Sequence, residues 1–371
     1  EINYEAKAGR QTGLGTVGNG TDRGLFLHAA LALDAEDGTV LGLASAQIYR
    51  RSKKKHRHYQ TQPIEDKESF RWIETAQKAS AALPDATRIT DISDRESDIY
   101  EVFARVPDAR TDVLVRITYD RALEDGGNAF ATLAEQKEGG RIEFDLSARA
   151  GRPARKVALA VRFACVRIRQ PKTGASTDDP PSISLTLVEA CEGAPPNGEK
   201  PVLWRLATNR TIVSFEDAAQ AIDDYRKRWT VEQVFRTLKT QGVDIEESLL
   251  GNGSALERIA AAAVVSATQV MQLVYARGEE GRRFQASRVF GSTEIAVLKR
   301  LIPTLEGKTE KQMNPHSTGT LAWASWCIAR LGGWNGYQSE RPPGPLTFSR
   351  GFKRFHYIVE GVTLMQTRNP T

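Results

Sequence analysis

The run Tyr225-Arg-Lys-Arg-Trp-Thr-Val-Glu-Gln-Val-Phe-Arg-Thr-Leu-Lys239 constrains the fold more than any other stretch of the chain. At ~100° per residue, Tyr225, Arg228, Glu232, Arg236 and Lys239 fall within an arc of about 80°, and Val231, Val234, Phe235 and Leu238 occupy the opposite side. The spacing predicts one amphipathic helix with its apolar side against a core. Its polar side sets a single carboxylate, Glu232, in a row of cations beside a phenol, which suits a metal ion held against a polyanionic backbone. A solvated charged face has the same composition.

A second acidic segment stands far upstream. Ala86-Thr-Arg-Ile-Thr-Asp-Ile-Ser reads as a strand that delivers Asp94 at its C-terminal end, and Ile99, Tyr100, Val102 and Phe103 continue as an amphipathic helix. Open α/β sheets hold ligands at the carboxyl ends of their strands, so an acid there can reach a metal. Asp94 or Ser93 also suits plain helix capping.

Taken together, the Tyr-x2-Arg-x3-Glu-x6-Lys tetrad and Asp94-Arg-Glu-Ser-Asp98 resemble the bacterial cut-and-paste DDE transposases of the YREK-signature group. The resemblance implies an RNase H-like α/β fold of the retroviral integrase superfamily, with a β-rich insertion and a helical C-terminal region. It spans nearly the whole chain through weaker matches: Arg23-Gly24 with His28, Arg116, Trp204, and Leu321 to Trp334, which is similar to the start of the family's dimerisation helices. It also implies roles. Asp94 and Glu232 would be catalytic acids and metal ligands, for Mg2+ with Mn2+ as a substitute. Tyr225, Arg228, Lys239, Arg116 and Arg236 would hold DNA, and Trp204 would stack on an extruded base. A tryptophan in Val202-Leu-Trp-Arg-Leu206 fits sheet core equally well.

The family uses three acids, the first in an Asp-Thr-Thr segment placed just before the part that matches Glu1-Ile-Asn-Tyr4. The expectation is therefore a fragment without the first catalytic Asp and the N-terminal end-binding domain. Asp22, read as preceding the first strand, and Asp34, in the turn 34–38, do not replace it. The chemistry implied is in-line attack on phosphodiesters by water and then by a 3′-hydroxyl, with two divalent cations held by carboxylates. Zinc is not expected: Cys165, Cys191 and Cys327 lie far apart, and no His pair has ligand spacing in a helix.

Charge distribution agrees with a polyanionic partner. The net charge is +5, and two stretches concentrate it. Residues 50–58 hold six Lys/Arg in nine positions, among them His56 and His58; residues 141–172 hold nine Lys/Arg against two acids, an excess of nine minus two, or +7. Such patches give sequence-independent, salt-sensitive DNA affinity.

Apolar residues make up 40% of the chain, enough for a sizeable core. Strands are predicted near 24–33, 39–49 and 112–118, with a helix near 66–83. The domains expected are 1–140 as the first part of the catalytic core, 141–208 as the β-rich insertion, 209–300 as the second part of the core, and 301–371 as a helical dimerisation region. Ser254-Ala-Leu-Glu257 reads as a capping box opening a helix to about Arg277, and its polar Ser266, Thr268, Gln269 and Gln272 mark it as buried rather than membrane-spanning. Unpatterned cysteines fit a reducing cytoplasm.

The expected function is metal-dependent cleavage and strand transfer at transposon ends. The partners are double-stranded DNA, at transposon ends and targets, and a second copy in a homodimer, with no membrane. Two other readings remain. One is a catalytically silent DNA-binding, dimerising inhibitor or domesticated descendant; the other is a same-fold nuclease that cleaves without joining.

Overall fold

The computed structural model describes residues 1–4, 12–18, 22–51, 61–146, 153–174, 176–196, 198–337 and 339–368. Most of the basic run at 50–58, including His56 and His58, lies outside these residues. In chain order the elements are β1 (Ile2–Asn3), β2 (Gly15–Val17), β3 (Asp22–Leu33), β4 (Val40–Tyr49), α1 (Arg71–Ala81), β5 (Ile89–Ser93), α2 (Tyr100–Arg105) and β6 (Thr111–Arg116). There follow α3 (Ala129–Ala134), β7 (Gly140–Leu146), β8 (Arg155–Arg169), β9 (Ser182–Glu192), β10 (Leu203–Thr208) and α4 (Phe215–Lys227). The chain ends in helices: α5 (Trp229–Thr240), α6 (Gly253–Tyr275), α7 (Ser292–Leu305), α8 (Leu321–Leu331) and α9 (Pro345–Arg368). They form two compact units, one of Glu1–Lys54 with Thr230–Thr371 and the other of Lys55–Trp229.

In the second unit, strands order as β5-β6-β10-β9-β8-β7 in one mixed sheet, with β5 and β6 parallel and the other pairs antiparallel. The β-rich stretch continues the β5–β6 sheet through the pairing of β10 with β6. Alternate residues of each strand face opposite ways, so both sheet faces need cover. Val113, Val115, Leu187 and Ala207 pack in one cluster with Ile73 and Ala76 of α1, Val102 and Phe103 of α2, and Leu133 of α3. Leu114, Val188 and Leu206 pack in the other with Ala218, Ala221 and Ile222 of α4.

In the first unit, β3 pairs antiparallel with β1, β2 and β4. Gly24 permits the crowding around β3: a Cβ there would lie 2.1 Å from the Ile2 carbonyl oxygen. Leu25, Leu27 and Val40 of the sheet bury with Val234 and Leu238 of α5 and Leu256, Ala260, Val264 and Met271 of α6. A further cluster joins Leu273, Leu298, Trp323, Trp326, Phe348, Phe352 and Phe355 across α6 to α9.

Several expectations shift. Asp22 is the first residue of β3 and does not precede it. Helix α1 begins at Arg71, because residues 64–70 form two 3-10 turns separated by extended backbone at Lys67. The cap of α6 is Asn252, whose side chain accepts from Ser254 N at 2.8 Å, while Glu257 pairs with Arg50 and cannot close the predicted box. By length and composition α6 could cross a membrane, yet its Leu256, Ala260, Ala267 and Met271 are core residues of the first unit.

Candidate nucleic-acid interface

The predicted single helix over 225–239 is interrupted. Arg228 stands between α4 and α5; its N–H reaches back to the Tyr225 carbonyl, a tightened turn at the point where the chain passes from the second unit to the first. Asp94, Arg116, Trp204, Tyr225 and Arg228 thus belong to the second unit, and Glu232, Arg236 and Lys239 to the first.

The second-unit residues converge. Strands β5 and β6 run parallel with Ser93 opposite Val115, so Asp94 and Arg116 leave adjacent strands at the same edge. Asp94 caps the 3-10 turn Arg95–Ser97, its Oδ1 accepting from Glu96 N at 2.9 Å. Ser97 Oγ donates to the Asp94 carbonyl at 2.8 Å and lies 2.6 Å from Ser93 Oγ, which holds the turn to its strand. Arg71 pairs with Glu96 at 2.7 Å. Capping, one of the two uses open to Asp94 in the sequence, therefore occurs. It occupies one carboxylate oxygen, and the second can still ligate.

Arg116 donates to the Leu203 carbonyl at 3.2 Å, tying the end of β6 to the start of β10. Trp204 is half-buried, stacked on Phe144 at 5.4 Å and 17°, and edge-on to Tyr225. Tyr225 is only 6% exposed and belongs to the core cluster under the sheet, so it does not lie on an open polar face. The helical wheel misplaced it because α4 buries the stripe of Ala218, Ala221, Ile222 and Tyr225. Burial pushes the Tyr225 phenol up; Arg228 and Arg116 pull it down, and Asp94 raises it further. All three charges thus act on one hydroxyl.

On α5, the apolar side matches expectation, with Val234 and Leu238 buried. Glu232 and Arg236 are exposed, and Lys239 is half-buried in an ion pair with Glu246 at 3.0 Å. Glu246 also accepts from Asn3 N at 2.8 Å, fixing the lysine's partner against β1.

Among the described residues, several of the basic side chains at 141–172 are ion-paired, while Arg149 and Arg152 lie outside the described residues. Arg141 pairs with Glu138, Arg155 with Glu192 and Glu199, Arg162 with Glu189, and Arg167 with Glu124. The register brings glutamates of β9 beside arginines of β8, acids that lie outside the window in which the charge was counted. Helix α8, expected to begin a dimerisation surface, is buried from Leu321 to Ala329 and serves as a core helix; α9 is where Tyr357, Leu364 and Met365 are exposed.

Two residues escaped the sequence reading. Trp229, beside Arg228, is 54% exposed, and its signal was an aromatic adjoining a phosphate-binding candidate. Asp91 on β5 is packed closely enough that burial pushes its carboxyl up to about 6, and nothing in the pattern of the strand marked it. Among the described residues no group of three or more His, Cys, Asp or Glu is placed to hold a metal ion. The donors that the tetrad and the Asp94 turn supply are carboxylates, hard oxygen ligands of the kind Mg2+ takes. No protein-family model matches the chain.

Proposed function

We propose that the chain is a DNA transposase of the YREK-signature DDE group, with an RNase H-like catalytic fold, acting in the bacterial cytoplasm as a homodimer on transposon ends and target DNA. The observation that carries this reading is the convergence of a capped, oriented Asp94 with Arg116, Arg228 and Tyr225 at one edge of the second unit's sheet. The tetrad spacing on the sequence adds Glu232, Arg236 and Lys239. The exposed Tyr357, Leu364 and Met365 of α9 offer apolar surface suited to a second copy.

In this reading Asp94 would be a ligand of Mg2+, or Mn2+ in its place, and the tetrad spacing assigns Glu232 the same role; the cation would supply charge neutralisation and activation of the attacking oxygen on the phosphodiester. Arg116 and Arg228 grip phosphate oxygens with planar forks, and Lys239 acts as a point charge. Trp204, backed by Phe144, offers an aromatic surface for a base, as single-strand binders do. Exposed Arg236 adds positive charge beside Glu232.

The test is incubation of labelled terminal-repeat DNA with the natural full-length protein in Mg2+. Cleavage that requires the cation and is lost in Asp94→Asn supports the reading. DNA bound tightly but left intact in both Mg2+ and Mn2+ overturns it in favour of a silent DNA-binding dimer, and cleavage without joining favours a nuclease.

A further inference from the structure

Asp98 closes the acidic segment that Asp94 opens, yet its setting is wholly different. Its side chain is 0% exposed and paired with Arg121. One carboxylate oxygen, Oδ2, accepts from Thr118 N at 2.7 Å and Tyr119 N at 2.9 Å. The other, Oδ1, takes the Arg121 guanidinium, which also donates to the Asp98 carbonyl at 2.8 Å. Arg121 in turn lies over the Phe103 ring of α2.

These bonds join two loops. Asp98 ends the 3-10 turn that Asp94 begins, and Thr118, Tyr119 and Arg121 lie in the loop that follows Arg116. An apolar residue could fill the space at comparable stability, since buried ion pairs seldom stabilise more than well-packed hydrophobic replacements. It could not satisfy two backbone N–H groups and a guanidinium together. What the carboxylate adds is a fixed placement of the turn after β5 against the loop after β6.

We propose that Asp98 is a positioning residue, whose buried carboxylate locks the turn carrying Asp94 to the loop after Arg116 so that both groups meet the DNA in one geometry. The inference rests on the transposase reading, within which Asp98 would support a metal ligand without touching metal or substrate. Outer partners of metal ligands commonly control activity by about 10- to 100-fold.

The experiment compares full-length wild type with Asp98→Asn in single-turnover cleavage of terminal-repeat DNA across a Mg2+ titration, with circular dichroism and DNA affinity measured in parallel. The expected result is a folded variant that binds DNA as wild type does, cleaves about 10- to 100-fold more slowly, and needs more Mg2+ for half-maximal rate. A folded variant with the wild-type rate and Mg2+ dependence overturns the proposal, because a purely structural role would move only the melting temperature. Should Asp98→Asn not fold, Arg121→Gln, which leaves the Thr118 and Tyr119 bonds in place, is read in the same way. A wild type that never cleaves overturns the transposase reading and this one together; an active wild type matched by its variants overturns this one alone.

Discussion

The Trp204 indole meets the Tyr225 ring edge-on, with centroids 6.2 Å apart and planes at 62°, while its face lies on Phe144. Two residues selected as DNA contacts from separate stretches of sequence therefore share one aromatic cluster on β10, β7 and α4. Each has a packing role before any ligand arrives.

Tyr225→Ala should cost about 3–5 kcal/mol, the usual penalty for emptying a buried aromatic site, whereas Tyr225→Phe should cost about 1 kcal/mol. Thermal unfolding measures both. Equal stability of Tyr225→Ala and wild type would mean that the phenol is not the core residue described above.

Glu232 is exposed on α5, so its replacement should spare the fold. Glu232→Gln is expected to reduce Mg2+-dependent strand cleavage by more than about a thousandfold with DNA affinity kept or raised. Gel-resolved cleavage beside a binding isotherm reads both, and an active variant sinks the catalytic assignment.

Lys239 is paired with Glu246, so in the proposed function a DNA phosphate would compete with that carboxylate. Lys239→Ala should weaken binding and reduce the slope of log K against log salt by about one. An unaltered slope would leave the lysine as a structural partner of Glu246.

Arg105 grips the buried Asp179 through two bonds, Nε to Oδ1 at 2.6 Å and Nη2 to Oδ2 at 2.9 Å. Arg105→Ala strands that carboxylate and should destabilise the second unit by about 3 kcal/mol. Denaturant titration with a probe in that unit tests it; a loss no larger than that of a surface pair would show Asp179 to be solvated.

Burial raises the Asp91 carboxyl to about 6, above its unfolded value, so folding favours the protonated acid. The stability lent by that proton is complete below the unfolded pKa near ~4 and is lost as pH rises through about 6. At neutral pH, Asp91→Asn should therefore stabilise by about 3 kcal/mol, and the gain should vanish toward pH 4. A gain independent of pH would refute the titration argument.

Much of this was legible in advance. The hairpin of β3 and β4 follows from two apolar-rich runs around Asp34, whose side chain accepts from Glu36 N at 3.0 Å in the turn. The strand before Asp94 appears, shortened to Ile89–Ser93, and the buried side of α5 appears where the period-3.6 pattern places it. The interruption at Arg228 was hidden, because no helix-breaking residue type marks it, although the buried face changes side there, from Tyr225 on α4 to Val234 and Leu238 on α5. The pairing of Arg155 and Arg162 was hidden too, since Glu192 and Glu189 come from the neighbouring strand β9 and Glu199 from the segment beyond it.

By itself the sequence determined the local elements, the acid at the end of β5 and the chemistry available in the 225–239 segment, because propensity, periodicity and side-chain type act over a few residues. Only the tertiary structure decided that Tyr225 is buried, that α8 is core, and that Asp98 serves Thr118, Tyr119 and Arg121 while Asp94 keeps an oxygen to spare. Burial and pairing are set by residues distant in the chain, and a carboxylate's role follows from which donors the fold brings to it.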